Sequence, residues 1–275
     1  MNTLSLALIS CLLVQASPHA PQTATSQPAA KSSPMESTID LKEHFGEFDG
    51  CFVMIDSASG ATRRYNAKRC TERFSPCSTF KVPHALIALE LGVLTGADHV
   101  LKWDKVEHWN KPCNADLDLR EAMRASCLWY FQRVAPQIGR EHMRDWLDKL
   151  DYGNADCSGE FTEFWINGTI QISAEEQAAF MNRLRAGDLP FSRKSMETVR
   201  EMIQARKTDD VVIYGKTGTR GDANGNFDLG WFVGWVETKQ RTFAFATNIE
   251  AAKGAMGPKA REITFAIVDA ILAEK

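Results

Sequence analysis

Residues 78–94 read STFKVPHALIALELGVL, and this stretch decides where the chain can place its chemistry. From Val82 onward the segment is rich in Ala, Leu, Ile and Val, which predicts a buried helix. Helix positions three apart share a face, so Lys81 can reach the Ser78 hydroxyl. At the start of that helix, Ser78 also lies at the positive end of the helix dipole. A serine hydroxyl with a base in reach is a candidate nucleophile.

Two shorter patterns downstream support this interpretation. Taken alone, a serine and a lysine three apart usually belong to a solvated helix face. Lys216-Thr217-Gly218 follows the apolar run 211–214, which predicts a strand, and Ser126-Cys127-Leu128 lies in a predicted helical stretch. The order Ser-x-x-Lys, Ser-x-x, Lys-Thr-Gly is found in serine β-lactamases and penicillin-binding proteins.

With these elements the chain resembles the class D β-lactamases, or oxacillinases, from roughly Phe45 to the C-terminus. One position departs from the family pattern, because Leu128 stands where the family usually has valine. Four further stretches carry the resemblance: Tyr152-Gly153-Asn154; Phe164-Trp165 with Gly168 and Ile172-Ser173; Trp231-Phe232-Val233-Gly234-Trp235; and Ser75-Pro76-Cys77.

The order of predicted elements indicates an α/β (α+β) fold. Its antiparallel sheet is built from N- and C-terminal strands, flanked by helices, with an inserted helical lobe. Ser173 followed by Glu176 predicts a capping box, and Asn224-Gly225 predicts a turn. The predicted strands are 52–56, 62–67, 211–215, 229–237 and 242–249, and the predicted helices are 117–138, 141–150, 173–186, 192–204 and 258–273.

The resemblance implies a mechanism in which Ser78 attacks a β-lactam carbonyl and forms an acyl-enzyme. Lys81 would be carboxylated by CO2 and act as the base, with Trp165 donating its indole N–H to the carbamate. Burial among apolar side chains would lower the pKa of this lysine from its usual value of about 10.4. Ser126 would pass a proton to the leaving lactam nitrogen beside Lys216. No other cofactor and no metal are expected.

The resemblance also assigns the substrate contacts. The backbone N–H groups of Ser78 and Thr219 would form the oxyanion hole. Thr217 and Arg261 would bind the substrate carboxylate, with Lys259 as the alternative to Arg261. Gly218, Leu128 and Trp165 would also line the substrate pocket.

Tyr152-Gly153-Asn154 allows a second interpretation, because class C enzymes use Tyr-x-Asn as a catalytic element. Here Ser126 already occupies the proper interval, so we expect Tyr152 and Asn154 to shape the pocket wall. Class A enzymes have Ser-Asp-Asn at the position of Ser126-Cys127-Leu128, which argues against class A.

Composition narrows the function classes. The 275 residues are 44% hydrophobic with a net charge of -3, and no basic run suggests a nucleic-acid partner. No apolar stretch approaches the roughly 18 residues that span a bilayer. No histidine spacing suggests zinc, and we expect the following to be surface or cap residues: His84, His99, His108 and His142.

The N-terminus predicts export. Residues 1–16 read as a secretory signal, which implies a periplasmic protein, and a lipoprotein anchored at Cys11 is the second interpretation. Residues 17–37 are predicted to be a disordered arm, and 38–275 the catalytic domain. Cys51 and Cys70 could close across a hairpin, and Cys77 and Cys127 could lie close together, but free thiols are the default.

Three functions compete. The first is a hydrolase of penicillin-type lactams that confers antibiotic resistance, as a monomer or homodimer. The second is a lactam sensor that is acylated once and held, and the third is a peptidoglycan transpeptidase or carboxypeptidase. The sensors of this type hang from multi-span membrane proteins, and the transpeptidases usually carry Ser-x-Asn and further domains. The hydrolase is therefore the leading expectation.

Overall fold

The computed structural model of the protein describes residues 36–221 and 225–273. Its strands are β1 (Glu36–Thr38), β2 (Asp49–Asp56), β3 (Thr62–Tyr65), β4 (Arg73–Phe74), β5 (Ile172–Ser173), β6 (Gln204–Lys207), β7 (Val211–Gly221), β8 (Phe227–Thr238) and β9 (Thr242–Glu250). Its helices are α1 (Lys42–Phe45), α2 (Ala67–Thr71), α3 (Lys81–Glu90), α4 (Leu119–Arg124), α5 (Leu128–Ile138), α6 (Arg140–Leu150), α7 (Ala174–Ala186), α8 (Arg193–Met202) and α9 (Gly257–Ala273). The predicted signal segment, Cys11 and Asn224 lie outside the described residues.

The sheet confirms the predicted fold class. Within the described residues, seven strands pair in the order β1-β3-β2-β9-β8-β7-β6, so strands from both ends of the chain meet at β2 and β9. The predicted N-terminal hairpin is present, with Ile55 opposite Thr62. β1 pairs in parallel with β3, and β4 and β5 form a separate two-stranded ribbon. The intervening helices form the inserted lobe.

The alternation of side chains along β8 separates two cores. Trp231 and Val233 belong to the larger core, which they share with α3, α5 and α7. Phe232 and Val236 point to the opposite face and pack with α1 and α9. Successive side chains of a strand lie on opposite faces, so one strand supplies both cores.

Helix α3 lies inside the larger core. Its residues from Lys81 to Ala88 are all buried, as expected for a helix that is apolar all round. The capping box predicted at Ser173 is confirmed, since its hydroxyl accepts from the backbone N–H of Glu176, and the Glu176 carboxylate accepts from the backbone N–H of Ser173. Both α3 and α7 contribute to the larger core, together with Trp231 and Val233 of β8.

Several predicted boundaries were wrong. Residues 117–138 form two helices rather than one, and β7 runs six residues past the predicted end at 215. Ala67 begins α2 instead of ending β3, and Glu36 and Ser37, placed in the predicted arm, pair with β3. Among the residues that the structure covers, no helix has the length and apolarity needed to cross a membrane.

Candidate active site

Ser78, the predicted nucleophile, lies in a 3₁₀ turn rather than in the helix itself, and we call Cys77–Phe80 the nucleophile turn. Cys77–Phe80 forms this turn, and α3 begins at Lys81. Both the backbone N–H and the hydroxyl of Thr79 donate to the carbonyl of Pro76, at 3.1 and 2.7 Å. Ser78 is half-buried between them. The turn therefore holds the serine at the N-terminal end of a buried helix.

A buried polar chain supports the turn from behind. Gln177 on α7 donates from Nε2 to Thr79 Oγ1 at 2.7 Å, and Tyr152 Oη donates to Gln177 Oε1 at 3.5 Å. The Asn154 side chain donates from Nδ2 to the Thr169 carbonyl at 2.8 Å and so holds the two ends of the intervening loop together. This geometry agrees with the architectural interpretation of Tyr152 and Asn154. Sequence reasoning missed Gln177, although it directly follows the predicted capping box.

Lys81 is buried and in contact with the serine. Its Nζ donates to Ser78 Oγ at 2.7 Å, and the residue is 1% exposed. Burial lowers the pKa of Lys81 to about 8, because an apolar surrounding disfavours the ammonium. The Nζ also lies 5.5 Å from the centroid of the Phe131 ring. The structure thus supplies a partly neutral amine beside a hydroxyl.

Trp165 and His84 complete the wall of this pocket. Both are fully buried, and their rings meet edge to face at 5.3 Å between centroids. Trp165 Nε1 has no hydrogen-bond partner among the described residues. The expectation that His84 is a surface or cap residue was wrong. Its position inside the segment predicted as a buried helix was the signal that could have shown this.

Ser126 lies at the break between α4 and α5. Its φ is 54°, a left-handed conformation, so the predicted continuous helix ends there and Leu128 starts a new one. Leu128 is half-buried and packs against the larger core. Lys216 Nζ donates to Ser126 Oγ at 2.9 Å and to the carbonyl of Thr217 at 3.0 Å.

Lys216 is buried and carries a strongly perturbed amine. Its pKa is well below the ordinary lysine value because of burial, with the positive charges of Lys81 and Arg261 adding to the effect. The two lysines and two serines predicted from three separate motifs are therefore brought together. Lys216 lies within β7 and pairs with Val233, just past the predicted end of this strand at 215.

The rest of the Lys-Thr-Gly element faces the nucleophile turn and α9. A Cβ on Gly218 would meet the Pro76 carbonyl at 2.8 Å, so only glycine lets β7 approach this closely. Thr219 Oγ1 accepts from the backbone N–H of Gly257 at 2.8 Å, which holds the start of α9 against β7.

The structure distinguishes the two candidate cations on α9. Arg261 is exposed, and its charge lowers the pKa of Lys216, so it lies near the site. Lys259 instead forms an ion pair with Glu262 at 3.0 Å. Thr217 is partly exposed. Arg261 is therefore the better placed of the two for an anion.

The six cysteines of the described residues are buried and free. Burial and the neighbouring thiol of Cys70 raise the pKa of Cys51, consistent with the proximity predicted across the hairpin. Cys127 interacts with Cys113, which raises the pKa of the Cys127 thiol. No described group of His, Cys, Asp and Glu side chains could hold a metal ion.

The comparisons with known proteins agree with this geometry. The penicillin binding protein transpeptidase domain family matches residues 50–272. The probable β-lactamase YbxI of Bacillus subtilis (strain 168) is 38% identical over 232 residues, covering 84% of this chain and 84% of that protein. The solved class D β-lactamase of Bacillus subtilis has a TM-score of 0.81 at 37% identity, covering 86% of this chain and 97% of that one.

A regulatory protein is equally similar. BlaR1 of Bacillus licheniformis is 39% identical over 232 residues, which cover 84% of this chain but only 38% of BlaR1. The solved C-terminal domain of that BlaR penicillin-receptor has a TM-score of 0.81 at 37% identity, covering 86% of this chain and 96% of that one. Because the family match spans most of the chain and the enzyme relatives are matched over most of their own length, this chain belongs to the class D β-lactamases.

Proposed function

We propose that this protein hydrolyses the β-lactam ring of penicillin-type antibiotics through an acyl-enzyme on Ser78 and thereby confers resistance. The observation that carries the proposal is the 2.7 Å contact between Ser78 Oγ and the buried amine of Lys81. With a pKa of about 8, a fraction of this amine is neutral at physiological pH, and the neutral form is the one that can react with CO2 and so become the base for the serine proton.

Acylation follows from the geometry of the turn and β7. Ser78 Oγ attacks the lactam carbonyl carbon while its proton passes to Lys81. The backbone N–H groups of Ser78 and Thr219 stabilise the negative charge that develops on the carbonyl oxygen. Each such donor typically contributes ~3–4 kcal/mol to transition-state stabilisation. The close approach at Gly218 supports this arrangement, because it brings β7 against the nucleophile turn.

The leaving lactam nitrogen needs a proton as the ring opens. Ser126 Oγ supplies it, and the 2.9 Å contact from Lys216 supports this role. The Lys216 amine donates to Ser126 Oγ throughout and so lowers the cost of this transfer, while the proton taken from Ser78 replaces the one that Ser126 gives up. Thr217 and the exposed cation Arg261 bind the substrate carboxylate and hold the ring against the serine.

Carboxylation of Lys81 by CO2 fits the residues present. Only a neutral amine reacts with CO2, and burial favours the neutral form of Lys81. Trp165 Nε1 is a buried donor without a protein partner, and it would hold the carbamate. In that form the lysine supplies a general base for acylation and deacylation. Leu128 and the aromatic wall restrict water around it.

A lactam sensor is the second candidate, favoured by the similarity to BlaR1. The same serine and lysine would then be acylated once and held. The discriminating experiment mixes the purified protein with penicillin or oxacillin in excess, with and without bicarbonate. Release of many equivalents of hydrolysed product per protein supports the hydrolase. One equivalent of stable adduct with no further product contradicts it and favours the sensor.

Export to the periplasm is proposed from the leader pattern of residues 1–16, with a Cys11 lipoprotein as the alternative. The sequence of the mature N-terminus of the protein, isolated from a cell that expresses the full chain, tests this. A chain that begins near Ser17 supports a cleaved signal. A diacylated Cys11 supports the lipoprotein, and an intact Met1 contradicts both.

A further inference from the structure

The wall of the lysine pocket contains a second polar group that the proposed mechanism does not use. His84 is 0% exposed, and neither ring nitrogen has a hydrogen-bond partner among the described residues. Three aromatic rings enclose the imidazole, with centroid distances of 5.7 Å to Phe80, 5.3 Å to Phe131 and 5.3 Å to Trp165. Aromatic faces accept hydrogen bonds only weakly, so they do not satisfy the ring N–H.

The imidazole is a neutral donor. Burial and the charge of Lys81 lower the pKa of His84 to about 3, so the ring carries one N–H and one lone pair at physiological pH. A buried donor without an acceptor costs free energy, and native structures rarely keep one without a reason. His84 therefore calls for a polar partner in this pocket.

The position of His84 indicates which partner. It lies one turn after Lys81 on α3, on the same helix face, and its ring contacts Trp165. Trp165 Nε1 is itself a buried donor without a partner. Two N–H donors without partners thus lie beside one lysine amine. A group with two acceptor oxygens on the lysine would give each of them an acceptor.

We propose that His84 is a second positioning donor, beside Trp165, for the carboxylate of carboxylated Lys81. The inference rests on the proposed function and deepens it. On carboxylation, the Lys81 nitrogen bonds to the carbon of CO2, one C–O electron pair moves to oxygen, and one N–H proton leaves to solvent. The negative charge then rests on two oxygens, which accept from the two ring donors.

The test compares two substitutions at one position. His84→Phe keeps a ring of similar size and removes the donor, whereas His84→Asn keeps a donor. The carbamate carbon is measured by 13C NMR during titration with 13C-labelled bicarbonate, alongside the melting temperature at each concentration. His84→Phe should need about tenfold or more bicarbonate for half-carboxylation, since a hydrogen bond to a charged group is lost. His84→Asn should stay within about threefold of the native protein.

The melting temperature separates this role from packing. Bicarbonate should raise it for the native protein and His84→Asn, and less for His84→Phe at equal concentration, because ligand binding stabilises the folded state. If His84→Phe does not fold, His84→Leu replaces it as the variant without a donor in the same titrations. A half-carboxylation point for the apolar variant equal to the native one overturns the inference. Native protein that turns over penicillin with no carbamate signal overturns both the inference and the proposed role of CO2, while carbamate without turnover contradicts the hydrolase alone.

Discussion

The chemistry of single residues depends on how completely the pocket around Lys81 excludes water. Trp165→Phe removes one donor and keeps the packing against Phe80 and Phe164. We expect its lactam hydrolysis to become dependent on added bicarbonate, with retention of CO2 weakened roughly 10- to 100-fold. Hydrolysis rates over a bicarbonate titration measure this.

Trp235→Phe is the matched control, because it also removes a buried indole donor, the one that bonds Glu237 at 3.0 Å. Its hydrolysis rate should not respond to bicarbonate. Equal responses of the native protein and Trp165→Phe would argue against a donor role for Trp165.

Buried His84 predicts a specific loss of stability in acid. Its pKa is 6.5 when unfolded and about 3 when folded, so the unfolded state binds the extra proton between these values. The contribution of neutral His84 to the free energy of unfolding is fully present above pH 6.5. It is lost as the pH falls toward 3, at ~1.4 kcal/mol per pH unit. Urea denaturation at pH 6 and pH 4 measures this. The free energy of unfolding should fall less between these pH values for His84→Phe and His84→Asn than for the native protein. A decline as steep as the native one would contradict the buried neutral imidazole.

At this scale, short motifs predicted which polar side chains lie close together. Ser78, Lys81, Ser126 and Lys216 were all named from sequence, and the structure brings them together. Their catalytic roles remain predictions. His84 and Gln177 were not found, because their importance depends on which neighbours surround them, and a single residue type in a helix does not report its neighbours.

At the scale of elements, the approach of β7 to the nucleophile turn depends on one glycine. Gly218→Ala would place a Cβ 2.8 Å from the Pro76 carbonyl and 3.3 Å from the Thr79 nitrogen. We expect a loss of roughly 10- to 100-fold in kcat/KM, since small displacements of a positioned nucleophile are costly. Gly159→Ala is the control, because its nearest contact would be an ordinary 3.4 Å. Similar kinetics for both variants would show that the close approach has no catalytic consequence.

The break at Ser126 makes a prediction about stability. With φ at 54°, the position suits glycine, and a Cβ there costs about 1 kcal/mol. Ser126→Gly should therefore have a free energy of unfolding about 1 kcal/mol above that of Ser126→Ala, although both lose the hydroxyl. The controls are Lys194→Gly and Lys194→Ala at an exposed position of α8. There the alanine variant should be the more stable of the two, because alanine favours a helix. Chemical denaturation of the four variants gives the result, and a more stable Ser126→Ala would contradict the assigned backbone.

Helix and strand boundaries were predicted correctly where residues close in sequence determine them. The capping box at Ser173 and the hairpin from β2 to β3 were both correct. The single helix over 117–138 was wrong because no glycine or proline marks Ser126. Its conformation is held in part by Lys216, which is 90 positions away in sequence and cannot be read from a local pattern.

At the scale of the whole molecule, the site forms where the helical lobe meets an edge of the sheet. β6 pairs only with Val212–Tyr214 of β7, so among the described strands the segment from Lys216 onward pairs on one side with β8 alone. Ser78 lies in the turn before α3, Ser126 at the break between α4 and α5, and Lys216 in β7. The sheet and the inserted helical lobe were predicted from the order of elements, whereas the burial of Lys81 could be seen only in the packed core.

The central claim is that buried Lys81 supplies the base that activates Ser78 and then the base that lets water hydrolyse the acyl-enzyme. Intact-protein mass spectrometry over time, after mixing with excess penicillin, tests it most directly in native protein and Lys81→Ala. The native spectrum should show a transient adduct that disappears as hydrolysed product accumulates, whereas any adduct on Lys81→Ala should persist. A native adduct that never decays, or equally fast release by Lys81→Ala, would contradict the account.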